Sequence, residues 1–280
     1  MQEISSHIFI ENDYPGVTLA AIPCQRGMLL IDAPLRPEDI RSWRAVLAAR
    51  SGGYERMLLT LDEHLDRTLG ARQMDCMVAG QERMNQVFKD RPVSFKSQGP
   101  ETGAEWELLN NLGIVRWAPP DITFSASLNL YWDKFPIYLR SVPGPSYCSL
   151  WVDLPEQNII FIGDTVIPDA PPFLAHADLP AWQEALANLL SPAYREYTII
   201  SGRSGVIAHN EVKNQSKFLG RVEEHLVKLA EKENDSREIE HASQQLLRSF
   251  DHHAPKYELY YTRMVYGLQQ YIKGHSVPVI

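Results

Sequence analysis

The sequence predicts an α/β protein with two β-sheets packed between helical layers. Three observations carry this reading. Short β-type runs alternate with helical runs, in the order strands, helix, strands, helix, strand. At 280 residues and 44% hydrophobic content, the chain can bury a sizeable core. A polar motif, Asp62-Glu63-His64-Leu65-Asp66-Arg67, directly follows an apolar run and precedes a small-residue helix entry.

The elements follow in order. Residues 8–10, 17–22 and 28–32 are β-type runs punctuated by Asp13, Pro15-Gly16 and Gly27. Pro37-Glu38-Asp39 opens a helix to about residue 49, with Ile40, Trp43, Val46 and Leu47 expected on one face. Residues 54–61 form the next strand, and 70–79 and 81–88 are helical candidates. Strand runs return at 122–124, 137–142, 148–153 and 158–162. Residues 180–190 form an amphipathic helix with Trp182, Ala185, Leu186 and Leu189 on one side, and 198–200 is a last short strand. From Glu211 onward the pattern is helical, over 218–233, 236–250 and 256–273. The charged break at 231–236 is short enough to be a turn. Residues 1–210 are thus expected to form the α/β domain and 211–280 a helical extension packed on it.

Composition excludes several classes. A net charge of −8 with no basic cluster argues against nucleic acid as partner. No apolar run approaches the roughly 20 residues that span a bilayer. The N-terminus lacks the basic and apolar regions of a secretory signal. Cys24, Cys76 and Cys148 are odd in number and widely spaced, as expected for small hydrophobes in a reducing compartment. A cytoplasmic protein without membrane contact is expected.

Four places resemble the metallo-β-lactamase fold, whose glyoxalase II-like hydrolases also carry C-terminal helices. Leu30-Ile31-Asp32-Ala33-Pro34 is similar to the family's strand ending in Asp-x-Gly. Residues 62–67 stand where the family has His-x-His-x-Asp-His. Val142-Pro143-Gly144-Pro145-Ser146 stands where it has Gly-His-Thr, and the run from Leu154 to Gly163-Asp164 is similar to its Gly-Asp hairpin. Ile200-Ser201-Gly202-Arg203 stands where it has Gly-His-Gly. The implied fold is a four-layer αββα sandwich with a helical C-terminal extension.

The resemblance also implies a site. Working members hold two zinc or iron ions with about five His and two Asp, and use the bridging hydroxide as nucleophile. Carried onto this chain, the ligand positions read Asp62, His64, Asp66, Arg67, Pro145, Asp164 and Arg203. A guanidinium stays protonated and offers no lone pair, so Arg67 and Arg203 cannot be ligands. Asp62, Asp66 and Asp164 should converge, and two carboxylates about 4 Å apart repel by about 4 kcal/mol at an effective dielectric near 20. Arg67 and Arg203, with a protonated His64, are expected to compensate them in a salt-bridge network. No cofactor is then expected. The competing reading keeps one divalent metal (Mn, Fe, Mg or Zn) on Asp62, His64 and Asp164, with Asp66 as a further ligand.

Each residue also has a plainer role. Asp62 suits a helix cap, and His64 a buried imidazole bonded to backbone. His176, in a Pro-rich loop that should overhang the site, is a surface histidine by default and a ligand contact by the functional reading. His252-His253 resembles a metal pair, but adjacent helical residues face apart. Tyr257, Tyr260, Tyr261, Met264, Tyr266, Leu268 and Tyr271 read first as core and second as a homodimer face.

The favoured reading is a binding protein whose old pocket takes a small, anionic ligand on Arg67 and Arg203. A divergent hydrolase with His64 or Asp66 as base is the alternative. An inactive subunit that pairs with an active relative is the third.

Overall fold

The computed structural model describes all residues except 52–54, 92–101, 110–111, 113–117, 233–234, 251–253 and 276–280. Among the described residues, thirteen strands form two sheets. The first sheet takes β1 (Gln2–Ser5), β2 (Ile8–Glu11), β3 (Leu19–Cys24), β4 (Gly27–Ile31), β5 (Arg56–Leu59), β6 (Met77–Gln81) and β7 (Ile122–Phe124), side by side in chain order. The first four pair antiparallel, and β4 to β7 run parallel. The second sheet is ordered β13 (Gly205–Ile207), β12 (Thr198–Ser201), β11 (Ile159–Phe161), β10 (Leu150–Leu154), β9 (Ile137–Ser141) and β8 (Ser127–Leu130). Only β11 and β12 pair parallel in it.

The period-2 alternation of strand side chains explains the layering. Leu29, Ile31, Leu59, Leu150, Val152 and Phe161 point between the sheets and form one buried cluster. Their neighbours Met28, Leu30 and Leu58 point outward onto α1 (Pro37–Ser51), meeting Ile40, Trp43 and Leu47. On the other outer face, Trp151, Ile160 and Ile199 meet Trp182 and Leu186 of α4 (Leu179–Leu189). Strands buried on both faces read as unbroken apolar runs, as these do.

Three helices follow, α5 (His209–Glu231), α6 (Ser236–Leu247) and α7 (Ala254–His275). Their apolar stripes, including Val212, Leu219, Leu246, Met264 and Leu268, join the same cluster as Trp151 and Trp182. Tyr260 is buried there, and Tyr257, Tyr261 and Tyr271 pack partly against it. No described helix is long and apolar enough to cross a membrane. The three cysteines are free.

Several expectations are corrected. Residues 70–79 are not a helix: a four-residue α2 (Leu65–Thr68) precedes Gly70, a 3-10 turn covers Ala71–Met74, and Met77–Gln81 is strand β6. Ala79 and Gly80 have weak strand propensity, but pairing with β5 and β7 on both sides decides their conformation. Gln81 closes β6 instead of opening a helix, and α3 (Met84–Asp90) starts three residues later. Val46 is 37% exposed and is left outside the buried set of Ile40, Trp43 and Leu47. The edge strands β1, β8 and β13 carry no run that marks them in the sequence. The His252-His253 pair lies outside the described residues.

α4 starts on a side-chain cap: the Asp178 carboxylate accepts a hydrogen bond from Ala181 N at 3.0 Å. Asp178→Ala should lower stability by about 1 kcal/mol, read from urea denaturation by tryptophan emission. An unchanged midpoint would mean that the cap contributes nothing to stability.

Candidate functional site

The polar centre lies where strands β4, β5, β11 and β12 end. Asp32 follows β4 in the left-handed region at φ +54°, which Asp tolerates better than most residues. Its Oδ1 accepts from Leu61 N at 2.9 Å, which turns Oδ2 toward Arg67 at 3.1 Å. After β5, Asp62 Oδ1 accepts from His64 N at 2.9 Å and fixes the turn into α2. Asp66 and Arg67, both buried, then leave the first turn of α2 in different directions.

Arg67 is fully buried and reaches three carboxylates. Nη1 lies on Asp32, Nε is 3.1 Å from Asp62 Oδ1, and Nη2 donates to Asp164 Oδ1. The other oxygen of Asp164 accepts from Arg203 Nε at 2.9 Å. Arg203 Nη1 also donates to Asp66 Oδ2 at 2.8 Å, Glu105 Oε2 at 3.0 Å and Gly16 O at 3.1 Å. Glu105, in the 3-10 turn Glu105–Leu108, accepts on its second oxygen from Arg263 Nη2 of α7 at 2.7 Å. Phe173 lies against both guanidiniums, with ring centroid 4.6 Å from Arg203 Cζ and 4.1 Å from Arg263 Cζ. Cation–π attraction adds to the ion pairs there.

Two glycines make room for this network. A Cβ on Gly202 would lie 2.7 Å from Arg67 Nη1 and 3.0 Å from the Gly163 backbone. Gly163 itself turns at φ +55° immediately before Asp164. The turn that aims Asp164 and the space that admits Arg67 thus depend on adjacent backbones without side chains.

The charges set the protonation pattern. Burial pushes the Asp32 carboxyl up to about 7, with Arg67 opposing and Asp62 adding to the rise. Burial also acts to raise Asp62, but Arg67 and His64 outweigh it and hold that carboxyl well below the usual range. Burial likewise lifts Asp66 despite Arg203. His64 Nδ1 lies 3.0 Å from Asp62 Oδ1; burial would lower the imidazole, and Asp62 turns the shift upward.

A cavity of about 560 Å³ opens beside the motif. Its walls include Glu63, His64, Asp66, Trp106, Phe173 and His176. Glu63 accepts from Ser146 Oγ at 2.7 and 2.6 Å on its two oxygens, and Ser146 Oγ in turn accepts from Cys148 N at 2.9 Å. Burial, then Glu63, pushes the Cys148 thiol above its usual range.

The structure therefore brings together Asp62, His64, Asp66, Arg67, Asp164 and Arg203. Pro145 and His176 line the cavity instead. His64 rests on Asp62 and on the Phe173 ring (centroids 4.8 Å), not on backbone. Arg67 and Arg203 do not line the cavity, so an anionic ligand held directly by them disagrees with this arrangement: both are turned into carboxylates. Asp62, His64 and Asp164 do form a group with metal-ligand spacing, their donor atoms within 4.8 Å of one another. Sequence reasoning missed Glu63, Ser146, Glu105, Phe173 and Arg263. Glu63 sits inside the motif and was open to notice; nothing local marks Glu105 or Arg263.

No protein-family model matches this sequence, and no curated protein does. Solved structures match it in shape. The sec-alkylsulfatase Pisa1 from Pseudomonas sp. superimposes with a TM-score of 0.70 at 12% identity, over 97% of this chain and 49% of that one. A metallo-beta-lactamase family protein from Thermus thermophilus gives 0.67 at 14% identity, over 97% and 95%. The DIM-1 metallo-beta-lactamase gives 0.61 at 16% identity, over 79% and 96%. This chain has the metallo-β-lactamase fold. It spans about half the length of the alkylsulfatase. Two sheets flanked by helices, followed by the C-terminal helices, are the metallo-β-lactamase sandwich that the four motifs imply. At these identities the likeness extends to the fold alone.

This geometry makes two predictions. Gly202→Ala, which drives a methyl into Arg67 and Gly163, should cost about 1–3 kcal/mol in urea denaturation; a neutral result would contradict the packing. The second concerns acid. Burial would raise Glu105, but Arg263 and then Arg203 hold it down at about 2 against an ordinary 4.5. A depressed carboxyl lends stability that is complete above the ordinary value and is lost as pH falls through the folded one. Glu105→Gln should therefore flatten the stability–pH slope between about pH 4.5 and 2, with stability measured at each pH. An unchanged slope would assign the acid limb to other groups.

Proposed function

We propose that this protein binds a small organic molecule in the cavity beside His64, and that it works without a dinuclear metal centre. The observation that carries the reading is the separation of roles at the site. The carboxylates that would hold metals face guanidiniums, while the cavity next to them is open, takes only His64 and Asp66 of that set into its wall and is lined otherwise by other residues.

The fold family implies two metal ions, and the donors present do not fit them. Both oxygens of Asp164 are taken by Arg67 and Arg203, and both oxygens of Asp66 by Trp106 N and Arg203. Two further ligand positions are arginine and one is Pro145. A bridging hydroxide therefore has no place in this chemistry.

The cavity suits a ligand of modest size. Leu65, Val87, Ala104 and Trp106 give it apolar walls, and Glu63, His64 and His176 offer a few polar anchors. That combination is typical of small-molecule sites. His64, oriented by Asp62, is the side chain best placed to exchange a proton with a bound molecule.

A second reading rests on the donor group itself. A single Mn, Fe or Zn ion on Asp62, His64 and Asp164 would make the protein a hydrolase of an ester, thioester or similar bond. Asp62 Oδ2 is buried without a hydrogen-bond partner, which favours it. The two guanidiniums on Asp164 oppose it, since a cation would have to share that carboxylate with both.

A thermal-shift panel of small metabolites on the wild type and on Ala104→Trp tests the binding reading. A true cavity ligand at about 100 times its Kd should stabilise the wild type by about 2.7 kcal/mol and leave the filled variant unmoved. Compounds that shift both proteins equally, or a broad panel that shifts neither, would sink it. Ester, thioester and β-lactam turnover that rises with added zinc would instead establish the second reading.

A further inference from the structure

We infer that Arg67 and Arg203 are the structural counter-ions of this fold, holding the loops after β4, β5, β11 and β12 together in place of bound metal cations. The inference shares with the proposed function only the absence of a dinuclear centre; what occupies the cavity does not enter it.

The geometry is that of a replacement. Two cations stand on the two oxygens of one carboxylate, Asp164, and each also draws in further carboxylates. Arg67 collects Asp32 and Asp62, and Arg203 collects Asp66 and Glu105. Chain segments distant in sequence are tied by these contacts. A planar, weakly hydrated guanidinium with five donors can bridge several carboxylates while buried, which a lysine ammonium cannot match.

The surroundings are shaped for the guanidiniums. Gly202 leaves no space for a methyl beside Arg67 Nη1, and Gly16 contributes its carbonyl to Arg203 while a Cβ added to it would lie 3.1 Å from the Asp66 carboxylate. The Arg203 side chain is 5% exposed and that of Arg67 is 0% exposed, so neither is a surface charge that happens to fall near acids. A metal entering here would have to compete with both for Asp164, and removing either leaves buried carboxylates short of compensation.

The test uses the full chain purified without chelator. Elemental analysis should find well below one zinc, iron or manganese per chain. Thermal unfolding should give the same Tm, within about 1 °C, as purified, with EDTA and with added Zn²⁺ or Mn²⁺. Arg203→Met should lower Tm by roughly 5–10 °C. Arg203→Met combined with Asp66→Asn should regain part of that loss, since the orphaned charge is removed with its partner. A stoichiometric metal whose removal lowers Tm by several degrees would overturn the inference, as would an Arg203→Met variant as stable as wild type. If the arginine variants fail to fold, the chelator comparison on the wild-type chain still decides. A cavity ligand lost or found in the metabolite panel leaves all of these outcomes unchanged.

Discussion

Asp164 has one oxygen on Arg67 and the other on Arg203, and the ends of both sheets depend on that arrangement. Between the sheets the sandwich is held by apolar contact, which is non-directional and tolerates small shifts. At the strand ends Leu61, Leu65 and Val166 are still buried, but acids are buried beside them. Asp32, Asp62, Asp66, Glu105 and Asp164 meet there, and without cations their mutual repulsion would splay the loops apart. Charge neutralisation among these largely buried groups therefore sets where each loop can lie. The same interaction explains why burial does not drive all the acids to the protonated state: Asp62 and Glu105 are held charged, whereas Asp32 rises to about 7.

The C-terminal helix belongs to this system. Arg263 donates to Gly103 O, Pro171 O and Glu105, and lies against Phe173. It thereby joins the turn carrying Trp106 to the loop carrying His176, which together form much of the cavity wall. Glu105 is the hinge of this connection, shared between Arg203 on one side and Arg263 on the other. The cavity wall is thus fixed by the same charges that close the strand ends.

Much of the fold was legible in the sequence because its strands are buried on both faces and read as apolar runs. The runs at β4, β10, β11 and β12 carried the architecture, and the motifs at 62–67, 163–164 and 202–203 placed the site. What stayed hidden has physical reasons. β6 depends on neighbours on both sides, which local propensity cannot register. β1, β8 and β13 lie at or near sheet edges and carry polar or short runs. At the site, the convergence of Asp62, Asp66 and Asp164 with Arg67 and Arg203 was readable because opposite charges stood at positions where ligands belong. That Arg67 is wholly occupied by acids, and so withdrawn from the cavity, required three dimensions. Glu105 and Arg263 are 158 positions apart, and no pattern in the chain joins them.

Thr165, the residue after Asp164, binds two indoles. Trp151 Nε1 donates to its hydroxyl at 2.9 Å and Trp182 Nε1 to its carbonyl at 2.8 Å. Both rings are buried. The hydrogen bonds that set their emission are therefore one peptide away from the carboxylate shared by the two arginines. The protein carries its own optical probe of that carboxylate. A loosening of the ion pairs would register as a change in tryptophan spectrum before the sandwich itself comes apart.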